Sequence, residues 1–83
     1  MWVWTQDDEL VNLDHVEFVR VEQDEDERDF EIRAYPLQSD SSPEELFYTL
    51  AERDTQAAAH SVLEEVVKAL SADTHLLDLR RSP

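Results

Sequence analysis

The clearest pattern of apolar and polar positions is helical and lies between Asp54 and Ser71. Its apolar residues recur at intervals of three and four, the spacing that places side chains on one side of a helix. They are Ala59, Val62, Leu63, Val66 and Leu70, and Ala58 and Val67 widen the stripe. The opposite side carries His60, Ser61, Glu64, Glu65 and Lys68. Asp54 or Thr55 can accept hydrogen bonds from the first turn, so we predict an amphipathic helix from Asp54 to Ser71.

The N-terminal residues predict a short hairpin. Two strands, Met1–Thr5 and Leu10–Leu13, are separated by a polar turn. Because side chains alternate between the faces of a strand, Trp2 and Trp4 share one face and Val3 takes the other. The two tryptophans either cover the edge of the core or form an exposed aromatic patch for a partner. The sequence leaves both interpretations open.

A tight turn and an irregular strand follow the hairpin. Asn12–His15 contains Asn and Asp, which satisfy turn N–H groups with their own side chains. The strand that begins at Val16 is rich in β-branched and aromatic residues, but its alternation shifts near Phe18 and Val19. We therefore expect a β-bulge at that point.

A charged loop and another strand come next. Gln23–Arg28 has no apolar side chain, which predicts an exposed loop, and it lacks the glycine and acidic spacing of a calcium loop. In the predicted strand Asp29–Leu37, Pro36 marks the end because proline cannot donate to a sheet ladder. Arg33 is expected to pair with an acid such as Glu17. The inward residues are Phe30, Ile32 and Ala34, and the outward ones are Glu31, Arg33 and Tyr35.

The remaining segments complete the pattern. Gln38–Pro43 is small and polar, which predicts a loop and the preferred proteolytic site. Glu44–Glu52 is compatible with a helix or a strand, and the aromatic and β-branched residues around Tyr48 favour a strand. Thr74–Arg80 is too apolar for a free tail, so it is a last short strand, a docked extension or an arm swapped onto a second subunit.

These elements predict one α+β domain over residues 1–83. Strands do not alternate with helices, so we expect an antiparallel β-meander rather than a parallel sheet. The meander has about four to five short strands packed by one C-terminal α-helix, with or without a short final strand or arm. Each element offers one apolar face, and this arrangement buries all of them.

Three stretches carry a resemblance to a known group of proteins. They are VNLDHVEFVRVE, FEIRAYPL and LAERDTQAAAHSVLEEVVKAL. The first places an asparagine-leucine turn before a strand, and the last opens its helix with an Asp-Thr pair. Over Leu10 to Leu70 the chain resembles small single-domain bacterial and phage proteins of uncharacterised function. The resemblance implies a compact α+β domain and no known activity, and it transfers no catalytic or binding residue.

The chain is strongly acidic, which restricts its partners. It has 21 acidic and 7 basic residues, for a formal net charge of -14. An acidic surface repels phosphate backbones and anionic lipids, so we expect neither nucleic acid nor a membrane as partner. The sequence allows three interpretations of this acidity. The acidic residues keep the protein soluble, they reflect a high-salt cytoplasm, or they form a face that docks on a basic protein.

Several kinds of chemistry are excluded by residues that the chain lacks. Without cysteine there are no disulfides and no thiolate chemistry, and without glycine there is no glycine-rich phosphate loop. The start, MWVWTQDDEL, has no signal-peptide pattern, and no stretch approaches the ~20 apolar residues of a membrane span. We therefore expect a cytoplasmic protein. Backbone with positive φ must use Asn12, Asp7, Asp8 or the run Asp24–Asp26.

No group of residues indicates a catalytic or metal site. His60 and Glu64 lie one helical turn apart, but the second histidine of a metal pair is missing. Ser61 follows His60 directly, and adjacent helical side chains point about 100° apart, which prevents a nucleophile and base pair. We expect no enzyme activity, no cofactor and no metal.

The leading hypothesis is a non-enzymatic protein-binding or homodimerising module. Its candidate contact residues are Trp2, Trp4, Tyr35, Leu76, Leu77 and Leu79. The alternative is an acidic inhibitor or antitoxin-like protein that binds a basic partner by mimicking nucleic acid. A sensor of a small molecule or an ion is a third hypothesis.

Overall fold

The computed structural model describes residues 1–37 and 46–80, in which six strands and one α-helix form an α+β fold. The strands are β1 Trp2–Trp4, β2 Leu10–Asn12, β3 Val16–Gln23, β4 Phe30–Pro36, β5 Tyr48–Arg53 and β6 Leu76–Asp78, and the helix α1 is Gln56–Ser71. They form two three-stranded sheets, β2-β1-β6 and β3-β4-β5. The predicted fold class is confirmed, whereas the predicted loop Gln38–Pro43 lies outside the described residues.

The strand order differs in part from the predicted single meander. The sheet β3-β4-β5 is an antiparallel meander, as expected. In the other sheet, β6 returns to the start of the chain and pairs with β1 in parallel. Local alternation does not encode a pairing between residues so far apart in sequence, so this second sheet was not predicted. Of the three predictions for Thr74–Arg80, the structure shows the short strand, paired within its own chain.

The helix α1 begins as its pattern predicts. The Thr55 side chain caps it and accepts a hydrogen bond from the Ala58 N–H at 3.1 Å. The buried side of the helix consists of Ala59, Val62, Val66 and Ala69. Val67 and Leu70, both placed on the apolar stripe, are each 54% exposed. Among the described residues, no helix combines the length and the apolar character that a membrane span requires.

The two sheets and the helix share one buried cluster. The first sheet contributes the inward face of β1 and β2, and the second contributes the face that packs against α1. Leu79, just after β6, closes the cluster. The fully or nearly buried members are Val3, Val11, Ile32, Ala34, Leu50, Ala51, Ala59, Val62 and Leu79.

Strand β3 confirms the predicted irregularity and corrects one ion pair. The register shifts between Val16 and Phe18, one residue before the predicted bulge. Arg33 binds Glu22 across the strands at 2.7 Å and Glu31 at 2.7 Å, so the predicted pairing with an acid of the neighbouring strand is confirmed, with Glu22 in place of Glu17. Arg33 lies opposite Arg20, which puts Glu22 on the same face and close to Arg33, whereas Glu17 lies in the irregular part of the strand.

The strand assignment of the segment before α1 is also confirmed. β5 covers Tyr48–Arg53, and a register shift opposite Ile32 leaves both Leu50 and Ala51 buried. This shift breaks the simple alternation that the sequence suggests for this segment.

Among the described residues, positive φ occurs at one predicted residue and at two others. Asp8 has φ 67°, as expected, whereas Arg28 at 66° and Asp73 at 58° were not predicted. Asn12 has φ -92° and instead accepts a hydrogen bond from the Asp14 N–H through its side chain. Arg28 closes the β3–β4 loop by donating its N–H to the Asp24 carbonyl at 2.8 Å. The loop therefore sets the φ of Arg28, not the residue type.

Candidate interaction surface

The outward face of the sheet β2-β1-β6 holds part of the predicted contact surface. β1 lies in the middle of this sheet, so its outward side chains are flanked by both neighbours. Residues opposite one another in paired strands share a face of the sheet. The register opposes Trp2 with Asn12 and Leu76, and Trp4 with Leu10 and Asp78. We call these residues the Trp face.

Three apolar side chains of the Trp face are accessible. Trp2 is 45% exposed, Leu10 47% and Leu76 48%. The other face of the same sheet carries Val3 and Val11, which are buried in the core. Apolar surface left in water forgoes about 25 cal/mol per Å² that burial would release. Neighbouring apolar side chains that remain half-exposed on one sheet face are typical of a contact surface.

A cation lies against one end of the Trp face. The guanidinium carbon of Arg80 is 4.3 Å from the centroid of the Trp4 ring. Asp78 accepts two hydrogen bonds from the Arg80 side chain, at 2.9 and 3.0 Å, and Asp8 accepts one at 3.2 Å. These hydrogen bonds, from Asp78 first, raise the pKa of Arg80. Arg80 therefore stays charged and holds the Trp4 ring in place.

Backbone hydrogen bonds fix β6 against β1 at both ends. The Trp2 N–H donates to the His75 carbonyl at 2.8 Å, and the Leu79 N–H donates to the Trp4 carbonyl at 2.9 Å. The Leu79 side chain is 1% exposed and anchors the end of β6 in the core. The Trp face is therefore assembled from both ends of the chain before any partner binds.

The structure brings only some of the predicted contact residues together. Trp2, Trp4 and Leu76 share the Trp face. Leu77 points to the opposite side and packs against the core, and Leu79 is buried. Leu77 and Leu79 are therefore corrected from contact residues to residues that attach β6 to the core. In a strand, alternation places Leu76 and Leu77 on opposite faces, but the sequence did not decide whether Thr74–Arg80 is a strand, a docked extension or a swapped arm.

Tyr35, the remaining predicted contact residue, lies on the other sheet and is only 2% exposed. Its side chain points to the outward face of β4, as predicted, but other side chains cover this part of the face. Its ring stacks on Phe18 at a centroid distance of 4.6 Å and lies 5.7 Å from Phe47. Its hydroxyl donates to Glu22 at 3.0 Å. Tyr35 is therefore not accessible to a partner, because two distant segments supply its cover.

Two residues of the surface were missed as contact residues by the sequence analysis. Leu10 lies opposite Trp4, and hairpin pairing across the polar turn was the available signal for it. Arg80 bridges to Asp8 and Asp78, and its position over Trp4 depends on the unpredicted pairing of β6 with β1.

A second feature concentrates acid at the tip of the β3–β4 hairpin. Carboxylate oxygens of Glu27, Asp29 and Glu52 all lie within 4.8 Å of one another, and we call these residues the acidic pole. Partial burial, and then repulsion by Glu27 and Asp29, raises the pKa of Glu52. Oxygen ligands of this kind suit divalent cations, although exposed acids also cluster where no ion binds. The pairing of β4 with β5 adds Glu52, which the charge run alone did not reveal.

Replacing Glu52 with glutamine is expected to stabilise the fold at pH 7 and not at about pH 3.5. The raised pKa means that the charged form is less favourable in the folded chain than in the unfolded one. This penalty is complete above the folded pKa and disappears below the unfolded value of about 4.3. Urea midpoints at both pH values test it, with the exposed Glu65→Gln as control. An equal gain at both pH values would contradict the repulsion within the acidic pole.

The serine and histidine of α1 do not form a catalytic pair. The Ser61 hydroxyl donates to the Ala57 carbonyl at 3.2 Å, and His60 is exposed. His15 lies with Asn12 and Tyr48 at an open cavity of about 260 Å³.

Compared with known proteins, the chain matches no family model, no curated protein and no solved structure.

Proposed function

We propose that this chain is a non-enzymatic cytoplasmic module that binds another protein through the Trp face. The observation that carries the proposal is that the half-exposed Trp2, Leu10 and Leu76 share one face of a sheet whose other face is already buried. Tryptophan and leucine side chains supply a large contact area, and tryptophan is enriched among the residues that dominate binding energy. Because hydrogen bonds already hold β6 on β1, the strands that carry this contact area do not have to be ordered when a partner binds.

The partner that suits this surface is apolar at its centre and basic at its rim. The chain carries a net charge of -14, and Asp8 and Asp78, at the edge of the Trp face, both bind Arg80. A basic rim would add attraction and faster association, whereas an acidic rim would be repelled. A second copy placed on the Trp face would bring like-charged rims together, so a different protein fits this surface better.

The proposal is tested with a variant that removes apolar area from the Trp face. Trp2→Ser with Leu76→Ser changes two half-exposed side chains, and Leu37→Ser removes a leucine elsewhere that is more exposed than either of them. Each purified protein is immobilised, exposed to lysate of the native organism at low salt, and its captured proteins are identified. A captured protein is then purified and titrated against all three forms.

We expect the partner to bind the wild type and Leu37→Ser equally and the double variant at least tenfold more weakly. Circular dichroism confirms that all three forms are folded. Equal affinity of the identified partner for the double variant would overturn the proposal, as would the capture of no protein by the wild type.

A second candidate function is an acidic inhibitor that occupies a nucleic-acid-binding surface. The acidic pole favours it, because closely spaced carboxylates imitate the charge density of phosphates. The variant Glu27→Gln, Asp29→Asn, Glu52→Gln should then lose the basic DNA-binding proteins that the wild type captures at low salt. Loss of the same proteins from the Trp-face variant, with retention by the neutralised one, would decide against the inhibitor.

A further inference from the structure

We infer that the edge of β3 is a self-association surface, at which a second copy of this chain adds its own β3 in antiparallel orientation. The two sheets β3-β4-β5 would then join into one continuous sheet of six strands, with the two α1 helices on the same side. This interface does not include the Trp face. It therefore stands independently of the proposed function and leaves the Trp face free for another protein.

The two edges of the sheet β3-β4-β5 differ in their protection. At the β5 edge, the Gln6 N–H donates to the Leu50 carbonyl at 2.8 Å, and the Gln6 side chain accepts from the Glu52 N–H at 2.9 Å. Within residues 1–37 and 46–80, β3 pairs with β4 and with no other strand. An edge strand of eight residues presents a row of N–H and C=O groups that another strand can pair with.

Exposed apolar residues of α1 lie on the same side as this edge. An apolar groove of about 260 Å³ separates α1 from β3, with Val16 and Val19 on one wall and Leu63 on the other. Val67 and Leu70 also line this groove, and both are more than half exposed. They belong to the apolar stripe of α1, but in the part of the chain that the structure describes β3 is the last strand on that side, so the sheet does not cover them. A second sheet continuing past β3 would bring a second α1 beside them.

Face alternation and charge together select one register for this pairing. Opposed residues of antiparallel strands share a face, so the two-fold axis has to pass beside one residue and its own copy. The regular part of β3 is Phe18–Gln23, after the irregularity. An axis at Arg20 or at Glu22 would oppose like charges, which is unfavourable. An axis at Val19 would overlap only a short part of the regular strand.

A two-fold axis at Val21 keeps opposed residues on the same face and opposes no like charges within the regular part of β3. It opposes Arg20 with Glu22 of the copy on the outward face, twice by symmetry. On the face toward α1 it opposes Val21 with its own copy and Val19 with Gln23 of the copy. Arg20 and Glu22 already form an ion pair within one chain, so the same charges serve both contacts.

The net charge of the chain does not prevent this pairing. Asp24, the first acid of the hairpin loop, lies three residues from Val21, or about 10 Å at ~3.4 Å per residue. The acidic loops of the two copies are therefore about 20 Å apart, at opposite ends of the β3–β3 interface. That distance exceeds the Debye length of ~8 Å at physiological ionic strength, so the loops repel each other only weakly.

Single cysteines test the register directly, because the natural chain contains none. Val21→Cys is expected to form a disulfide-linked dimer on mild oxidation, since the Cα atoms of directly opposed residues are about 4.5–5.5 Å apart, within the range of about 4.4–6.8 Å that a disulfide spans. Val19→Cys and Gln23→Cys should each stay monomeric under denaturing electrophoresis, and an equimolar mixture of the two should give the mixed dimer. Self-linkage at residue 19 or at Arg20→Cys, with none at residue 21, would overturn the register.

Sedimentation separates this interface from the Trp face. The wild type is expected to be a dimer at micromolar concentration, and Val67→Glu with Leu70→Glu should weaken the dimer at least tenfold while circular dichroism stays unchanged. Trp2→Ser with Leu76→Ser should remain dimeric, whether or not it loses its partner protein. A wild-type monomer at high micromolar concentration, or a dimer lost only in the Trp-face variant, would overturn the inference.

Discussion

Replacing Val66 with aspartate is expected to unfold the domain. Val66 is 1% exposed on the buried side of α1, so a carboxylate at this position would lose most of its hydration. Burying an unpaired charge costs on the order of 4 kcal/mol or more. A domain of this size has a total stability of roughly 4–12 kcal/mol, at about 0.05–0.15 kcal/mol per residue. Far-UV circular dichroism and a urea titration measure the loss.

Two control variants separate burial from a change of charge on the helix. Val67→Asp introduces the same residue at the next position, which is half-exposed, and Glu64→Ala removes a charge from the exposed side. Both should stay folded, with changes in the free energy of unfolding below about 1 kcal/mol. If Glu64→Ala or Val67→Asp unfolds the chain as completely as Val66→Asp, the buried side of α1 has been assigned wrongly.

The helix shows how far a periodic pattern can be interpreted. Its start and end follow from local signals, namely the Thr55 cap and the apolar spacing, and both agree with the structure. Local signals do not say where the sheet beneath the helix stops. Val67 and Leu70 have the spacing of core residues and are still exposed, because β3 is the last strand under that side of α1 within residues 1–37 and 46–80.

The second sheet shows a different limit. Alternation predicts the β1–β2 hairpin and the shared face of Trp2 and Trp4, because both depend on neighbours in sequence. The pairing of β6 with β1 joins the two ends of the chain, so no local pattern specifies it. This pairing places Leu76 beside Trp2 and Arg80 over Trp4.

Burial depends on the segments that cover a residue, and this explains the corrected contact residues. Tyr35 faces outward on its strand but is enclosed by Phe18 and Phe47. Leu79 follows β6 and turns into the core. Alternation along β4 predicts the outward direction of the Tyr35 side chain, whereas the sequence left the direction of Leu79 open. The burial of both residues depends on segments elsewhere in the chain.

Replacing Leu79 with alanine is expected to destabilise the domain by about 2–5 kcal/mol, the cost of removing a fully buried leucine side chain. Leu76→Ala, three residues earlier and half-exposed, should cost less than about 1 kcal/mol. Urea titrations of the two variants under the same conditions measure the difference.

The Leu79→Ala variant also reports on the Trp face. Leu79 anchors the end of β6 and donates its N–H to the Trp4 carbonyl, so loosening it should increase the quenching of both tryptophans by acrylamide at urea concentrations below the global transition. Leu76→Ala should unfold in a single transition, with no such early increase in quenching. If Leu76→Ala is as destabilising as Leu79→Ala, then Leu76 is a core residue, and the surface proposed to bind a partner is instead needed for folding.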